Sequence, residues 1–327
     1  MEVDVIGIME EVAKKKPAKV LICEGWDERC LRSTADILKN KLAKIVLLGN
    51  PKEIEEKVKE FGVDVSEAEV VDYKNSELKD ELAEKLVEVR KHKGMTLDEA
   101  KKLIEDENYF GCMYVYCGHA DAVAGSAIRS TAALMRPALQ ILREKGRIVS
   151  EVSIMNDVKN DRVIFGSDFS MNIDPDADGL AQITLNAVSC VNEFGIEPKV
   201  GLLSFSTKGS GGNSPALETI REAVEIVKKE MPDLVIDGEL QVDAAMNSDA
   251  AKSKCPDSPL KGEANTLIFP NLMAANIFAH GLGQFSDMSF YFTVLKGLVK
   301  PVVILGRTMP LESVRNMIVS CAMQVNS

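Results

Sequence analysis

Short apolar runs alternate with longer amphipathic stretches along this chain, and the alternation predicts most of its elements. Lys19-Val20-Leu21-Ile22-Cys23 and Lys44-Ile45-Val46-Leu47-Leu48 are too short for buried helices and read as strands. A helix carrying Arg32, Ala35 and Leu38 is predicted between them, and another over 51–61 after the turn at Gly49-Asn50-Pro51. Residues 76–107 read as helix almost throughout, broken at Lys93-Gly94-Met95-Thr96, where Thr96 and Glu99 have the spacing of a capping box. Ala120-Asp121-Ala122-Val123-Ala124-Gly125 is a third strand. Residues 130–142 form a helix with Arg136-Pro137 inside it, where proline removes a ladder hydrogen bond. Strands separated by helices of this length imply a parallel, doubly wound sheet.

The character changes between Gly146 and Ser150. Residues 152–155 and 162–166 read as a hairpin around 156–161, and a helix follows over 177–194. Val200-Gly201-Leu202-Leu203, Leu234-Val235-Ile236 and Asn265-Thr266-Leu267-Ile268-Phe269 continue the strand series, with helices from Pro215 and Asn271. The last strand, Val302-Val303-Ile304-Leu305, and a helix from Pro310 are expected to return to the first domain. The predicted organisation is a discontinuous first α/β domain, 1–146 plus 300–327, and a second, 147–299, with no internal repeat or low-complexity linker.

The stretch with the clearest chemistry follows Val200. Ser204-Phe205-Ser206-Thr207-Lys208-Gly209-Ser210-Gly211-Gly212-Asn213 offers hydroxyls, a lysine and glycines that let backbone N–H groups approach an anion. Ser214-Pro215 behind it has the signature of a helix start. A strand, a small-residue loop and a helix N-terminus together make an anion site, although the GxxxxGK[ST] spacing of a P-loop is missing. A solvated glycine turn accounts for the same residues, and the pattern leaves both readings open. Arg29, just past the first strand, falls where parallel sheets bind ligands, whereas Arg90 in its lysine-rich run reads as part of a solvated face.

Composition narrows the classes. At 327 residues the chain exceeds the usual single domain, and a hydrophobic share of 46% suffices for a core. Fifty acidic against thirty-nine basic residues, a net charge of −11, argue against general nucleic-acid or anionic-membrane binding. No apolar run approaches the roughly 20 residues of a membrane span, and Met1-Glu2-Val3-Asp4 is unlike a secretory leader, so a cytoplasmic location is expected. Seven scattered cysteines without a CxxC pair suggest neither a disulfide framework nor zinc, and His92, His119 and His280 have no metal-ligand spacing. No Gly-x-Gly-x-x-Gly follows a strand with an acidic residue about 20 positions on, which disfavours a nicotinamide dehydrogenase.

The succession Tyr109-Phe110-Gly111, Arg136-Pro137-Ala138-Leu139-Gln140, Phe194-Gly195-Ile196-Glu197-Pro198, Leu203-Ser204-Phe205-Ser206-Thr207-Lys208-Gly209-Ser210, Asp237-Gly238-Glu239-Leu240-Gln241-Val242-Asp243-Ala244-Ala245 and Ala264-Asn265-Thr266-Leu267-Ile268-Phe269-Pro270 resembles the phosphate acetyltransferase and phosphate butyryltransferase family. The resemblance runs nearly the whole length in the family's order and is strongest to the acetyl branch. It implies two doubly wound α/β domains around an active-site cleft, an architecture like isocitrate and isopropylmalate dehydrogenases. It further implies a homodimer, no metal, no permanently bound cofactor, and reversible acyl transfer between coenzyme A, as a substrate, and inorganic phosphate.

Such a reaction needs a base for the thiol proton and donors for the oxyanion and the leaving phosphate, for which forked arginine donors suit two oxygens at once. The family's arginines correspond to Arg90, Arg136 and Arg307, with Arg29 as a further candidate, and Ser206, Thr207, Lys208, Gly209 and Ser210 would cradle the phosphoryl group. Departures accompany these matches. Gly306 stands where the acetyl branch has serine, and Ser313 where it has the aspartate proposed as base, with Glu312 beside it. Arg129 replaces a histidine, and Asn276, a further candidate for binding substrate, follows Ala275 where a glycine is usual. Three readings follow: an acetyl-transferring enzyme in which Arg129 or Glu312 compensates, a paralogue for propionyl or butyryl groups, and a catalytically weak relative that binds coenzyme A or an acyl phosphate.

Overall fold

The computed structural model describes residues 4–326. The chain divides into two compact units, Ile6–Lys145 with Leu298–Ser327, and Met1–Val5 with Gly146–Gly297.

In the unit containing Ile6–Lys145, five parallel strands form one sheet: β1 (Lys19–Ile22), β2 (Lys44–Leu48), β3 (Glu69–Val71), β4 (Ala122–Gly125) and, from the returning C-terminal segment, β11 (Val302–Ile304). The order is β11-β4-β1-β2-β3, with Ile22 beside both Leu47 and Ala124. Helices on both faces bury β1, β2 and β4, which is why these strands read as unbroken apolar runs. β3 escapes the pattern because it is a three-residue edge strand that is largely exposed. The chain winds from β1 outward to β2 and β3, then crosses to β4 on the other side. Such a switch point leaves a crevice beyond the carboxyl ends of β1 and β4.

The loop leaving β1 is held tightly. A Cβ on Gly25 would lie 2.8 Å from both the Leu47 Cβ and the Leu48 carbonyl oxygen, so only glycine passes there. Asp27 then caps the helix Glu28–Lys39, accepting from the N–H groups of Arg29 and Cys30. Pro137 lies inside the helix Thr131–Ile141, as the sequence implied.

In the unit containing Gly146–Gly297, β5 (Ser150–Asp157), β6 (Arg162–Ser167), β7 (Lys199–Leu203), β8 (Val235–Leu240), β9 (Thr266–Ile268) and β10 (Ser289–Lys296) form a sheet ordered β10-β5-β6-β9-β7-β8. β6, β9, β7 and β8 are parallel, but β10, β5 and β6 pair antiparallel. Only β5 therefore runs against the other five strands of this sheet. Beside the expected β5–β6 hairpin, β10 adds an edge that the pattern above does not anticipate, although Phe290-Tyr291-Phe292-Thr293-Val294 has strand composition. Leu203, Leu240, Leu267 and Phe269 pack in one buried cluster beneath the carboxyl ends of β7, β8 and β9. No helix among the described residues is long and apolar enough to cross a membrane.

Candidate active site

The loop that follows β7 enters the helix Pro215–Glu230, which Ser214 caps by accepting from the Leu217 N–H. Its shape is set by an internal carboxylate. Glu239, from β8, is 1% exposed, and its Oε1 accepts from the Gly209 N–H at 2.8 Å and the Ser206 hydroxyl at 3.1 Å. Arg221, one face of the following helix away, donates to both oxygens, from Nε at 2.6 Å and Nη2 at 2.8 Å. The bidentate guanidinium holds the Glu239 carboxyl down at about 2, against an ordinary 4.5. Two residues earlier on the same strand, Asp237 is 2% exposed and receives the Lys208 ammonium.

The loop amides are likewise engaged. Gly211 N–H donates to the Ser206 hydroxyl at 2.8 Å, and Thr207 N–H to the Ser210 hydroxyl at 3.0 Å. Gly209 adopts φ +86°, open only to glycine at low cost, and a Cβ on Gly211 would strike Phe205 and Ser206 within 2.9 Å. These amides thus have partners within the loop and on β8. Ser206 and Thr207 are buried and their hydroxyls serve the loop itself, Thr207 exchanging hydrogen bonds with Gln241 at 3.0 and 3.3 Å. Lys208, Gly209 and Ser210 remain exposed. Asn276 is exposed on a different element of this unit, the helix Leu272–Phe285.

In the other unit, Arg29, Arg129 and Arg307 gather at the carboxyl ends of β1, β4 and β11. Arg29 Nη1 donates to the carbonyls of Gly306 and Arg307 at 3.0 Å each and of Met309 at 3.1 Å, and Nη2 to Ala127 at 2.7 Å. Nε and Nη2 also face the two Asp27 oxygens at 3.3 Å. Every donor of the guanidinium is taken by these acceptors. Arg307 is exposed, and its Nε donates to the Arg129 carbonyl at 3.2 Å.

Arg129 is itself paired, through Nη1 with Asp106 at 2.8 Å and through Nε with Glu107 at 2.7 Å. It therefore meets two carboxylates before any substrate. Glu107 is 6% exposed, and burial pushes its carboxyl up to about 7, with Arg129 opposing and Glu24 adding to the rise. Glu24, Trp26, Asn50, Tyr73, Glu107 and Arg129 line a cavity of about 390 Å³. Burial also raises the Glu24 carboxyl, against the backbone N–H groups of 127–129.

Arg90 and Arg136 form a second group. Tyr109, whose hydroxyl donates to Gln140 at 3.0 Å, is raised by burial while Arg136 and Arg90 pull the other way, so both charges lie within electrostatic reach of that phenol. Arg90 is half-buried and Arg136 exposed. Glu312 is exposed in the first turn of the helix Leu311–Gln324, with Ser313 half-buried next to it. Among the described residues no cluster of three histidine, cysteine or acidic side chains could hold a metal ion.

Sequence reasoning missed Arg221, Glu239, Asp237, Asp106, Glu107 and Glu24. For Asp237 and Glu239 a signal existed, two carboxylates two apart in a strand-like segment, which a half-buried sheet presents on one face. Arg221 carried none, because its partner is fixed only by the packing of the helix on β8.

A sequence profile described as "Phosphate acetyl/butaryl transferase" matches residues 5–322. A phosphate acetyltransferase of Thermoanaerobacterium thermosaccharolyticum is 38% identical, covering 98% of this chain and 99% of its own length, and one from Bacillus subtilis is 37% identical over the same shares. A phosphotransacetylase of Streptococcus pyogenes superposes with a TM-score of 0.93 at 37% identity, over 98% of both chains.

Proposed function

This chain belongs to the phosphate acetyl/butaryl transferase family and is a phosphate acetyltransferase, and we propose that the loops at the carboxyl ends of its parallel strands carry the reaction. The enzyme exchanges an acetyl group between coenzyme A and inorganic phosphate. In the direction of acetyl-CoA synthesis, the coenzyme A sulfur bonds to the carbonyl carbon of acetyl phosphate, the C–O bond to phosphate breaks, and the thiol proton passes to a base. The observation that carries the assignment of roles is the convergence of Arg29, Arg129 and Arg307 on one another at the ends of β1, β4 and β11.

In this reading Arg307, exposed and tethered through Nε, directs its remaining donors to the leaving phosphate or the oxyanion. Arg136 and Arg90, both within electrostatic reach of Tyr109, hold further phosphate oxygens. The exposed Lys208, Gly209 and Ser210 receive a phosphoryl group on a loop that Glu239 and Arg221 have already shaped. Glu312 takes the thiol proton in place of the aspartate absent at position 313, and Gly306 leaves the oxyanion one hydroxyl short. A missing oxyanion donor costs about 10²–10³ in rate. We further propose that the enzyme is a cytoplasmic homodimer of the two domains expected at 1–146 plus 300–327 and at 147–299, with no permanently bound cofactor. The cysteines are unpaired, and the helix Leu272–Phe285 leaves Met273, Ile277 and Phe285 between 67 and 91% exposed, an apolar face that suits a second copy.

The test is release of free thiol from acetyl-, propionyl- and butyryl-CoA, with and without phosphate. Phosphate-dependent release that is fastest with acetyl-CoA is expected. A preference for butyryl-CoA would reassign the acyl group, and binding without turnover would overturn the roles given to these loops.

A further inference from the structure

We infer that Arg29 is a positioning residue that fixes the loop bearing Arg307, and not a ligand of coenzyme A or phosphate. The inference rests on the role given to Arg307 above. Its basis is the use of the guanidinium. Arg29 stands in the first turn of the helix Glu28–Lys39, oriented by Asp27, whose carboxylate also caps that helix. From there it reaches four carbonyl oxygens in two loops that are distant in sequence, Ala127 after β4 and Gly306, Arg307 and Met309 after β11. An anion arriving at Arg29 would have to displace these acceptors, and no donor stands idle to greet it.

The loop after β11 needs an external clamp. Gly306 has no side chain to anchor it, and a Cβ there would meet nothing nearer than 3.7 Å, so local packing does not restrain the backbone. Its internal bond, Met309 N–H to the Gly306 carbonyl at 3.1 Å, closes a single turn. Arg29 binds the carbonyls of three of the four residues of that turn, Gly306, Arg307 and Met309, and simultaneously ties it to the loop whose Arg129 carbonyl receives Arg307 Nε. The backbone of Arg307 and its side chain are thus referred to the same two loops. A planar fork with five donors can do this; an ammonium of three donors from one point cannot span both loops.

The experiment measures kcat and KM for coenzyme A with acetyl phosphate in the wild type, Arg29→Lys, Arg29→Ala, Arg307→Ala and the double variant Arg29→Ala/Arg307→Ala, together with amide hydrogen exchange over 305–309. Displacing a catalytic group by about 1 Å costs about 10² in rate, so Arg29→Ala is expected to lower kcat about 100-fold with KM for coenzyme A changed less than about threefold. Arg29→Lys, which keeps the charge and the fold, should be nearly as slow, and exchange over 305–309 should accelerate in both. The double variant should be no slower than Arg307→Ala alone, because a residue acting through another has nothing further to lose. Near-normal kcat in Arg29→Lys, a tenfold rise in KM at unchanged kcat, or losses that multiply in the double variant would each overturn the positioning role. Full turnover in Arg307→Ala would instead overturn the reading on which the inference rests, and is distinguished by that single variant.

Discussion

Replacing Glu239 with glutamine tests whether the loop after β7 is shaped by a buried anion of the protein's own. Glu239→Gln preserves volume but turns one oxygen into an amide nitrogen, so that an N–H donor faces the Arg221 donors where two charge-assisted bonds of 2.6 and 2.8 Å now stand. Holding the carboxyl at about 2 instead of 4.5 corresponds to about 3 kcal/mol. Arg221 keeps 35% of its side chain in solvent, and screening there reduces the expected loss to about 2 kcal/mol. The sign with pH follows from the depressed value. The contribution is complete above about 4.5 and drains away as pH falls through about 2, so the wild type loses it on acidification while the glutamine variant has none to lose. Urea unfolding at pH 7 and pH 3.5 should therefore show a gap of about 2 kcal/mol that narrows by about 1 kcal/mol at the lower pH. A gap below about 0.5 kcal/mol at pH 7, or one that is equal at both pH values, would refute the claim that this ion pair holds the loop.

On the alkaline side the opposite sign applies. Glu107, raised to about 7 by burial, favours the native state most when protonated, so stability should fall as pH rises from about 4.5 to 7, and Glu107→Gln should flatten the melting temperature against pH across that window. Arg307→Ala is expected to lower phosphate-dependent thiol release by about 10²–10³, leaving a measurable residual rate; near-normal activity would remove it from the site. Gly306→Ser should raise kcat by about 10²-fold if the missing oxyanion donor limits the rate, and an unchanged kcat would show that it does not. Met273→Asp with Ile277→Asp should shift the protein to a monomer in light scattering, and an unaltered mass would place the subunit contact elsewhere.

The elements of this fold were largely determined by the sequence, because burial imposes a period that local residues must satisfy. β1, β2, β4 and β7 are continuous apolar runs for the plain reason that helices cover both sheet faces, and Asp27, Thr96 and Ser214 announce their helices through caps that need only neighbouring residues. Family motifs carried the activity and pointed to Arg307, Arg136 and Arg90. Tertiary structure alone decided which partner each charged group meets. Arg29 and Arg307 look alike in sequence, yet one spends its donors on carbonyls contributed by residues up to 280 positions away and the other presents an exposed guanidinium. The glycine-rich loop that suggested an empty anion nest already encloses the Glu239 carboxylate, and Arg129 is held by Asp106 and Glu107. Hydrophobic periodicity is a property of neighbours along the chain, whereas the partner of a charge is chosen by whichever strand end or helix face folding brings beside it.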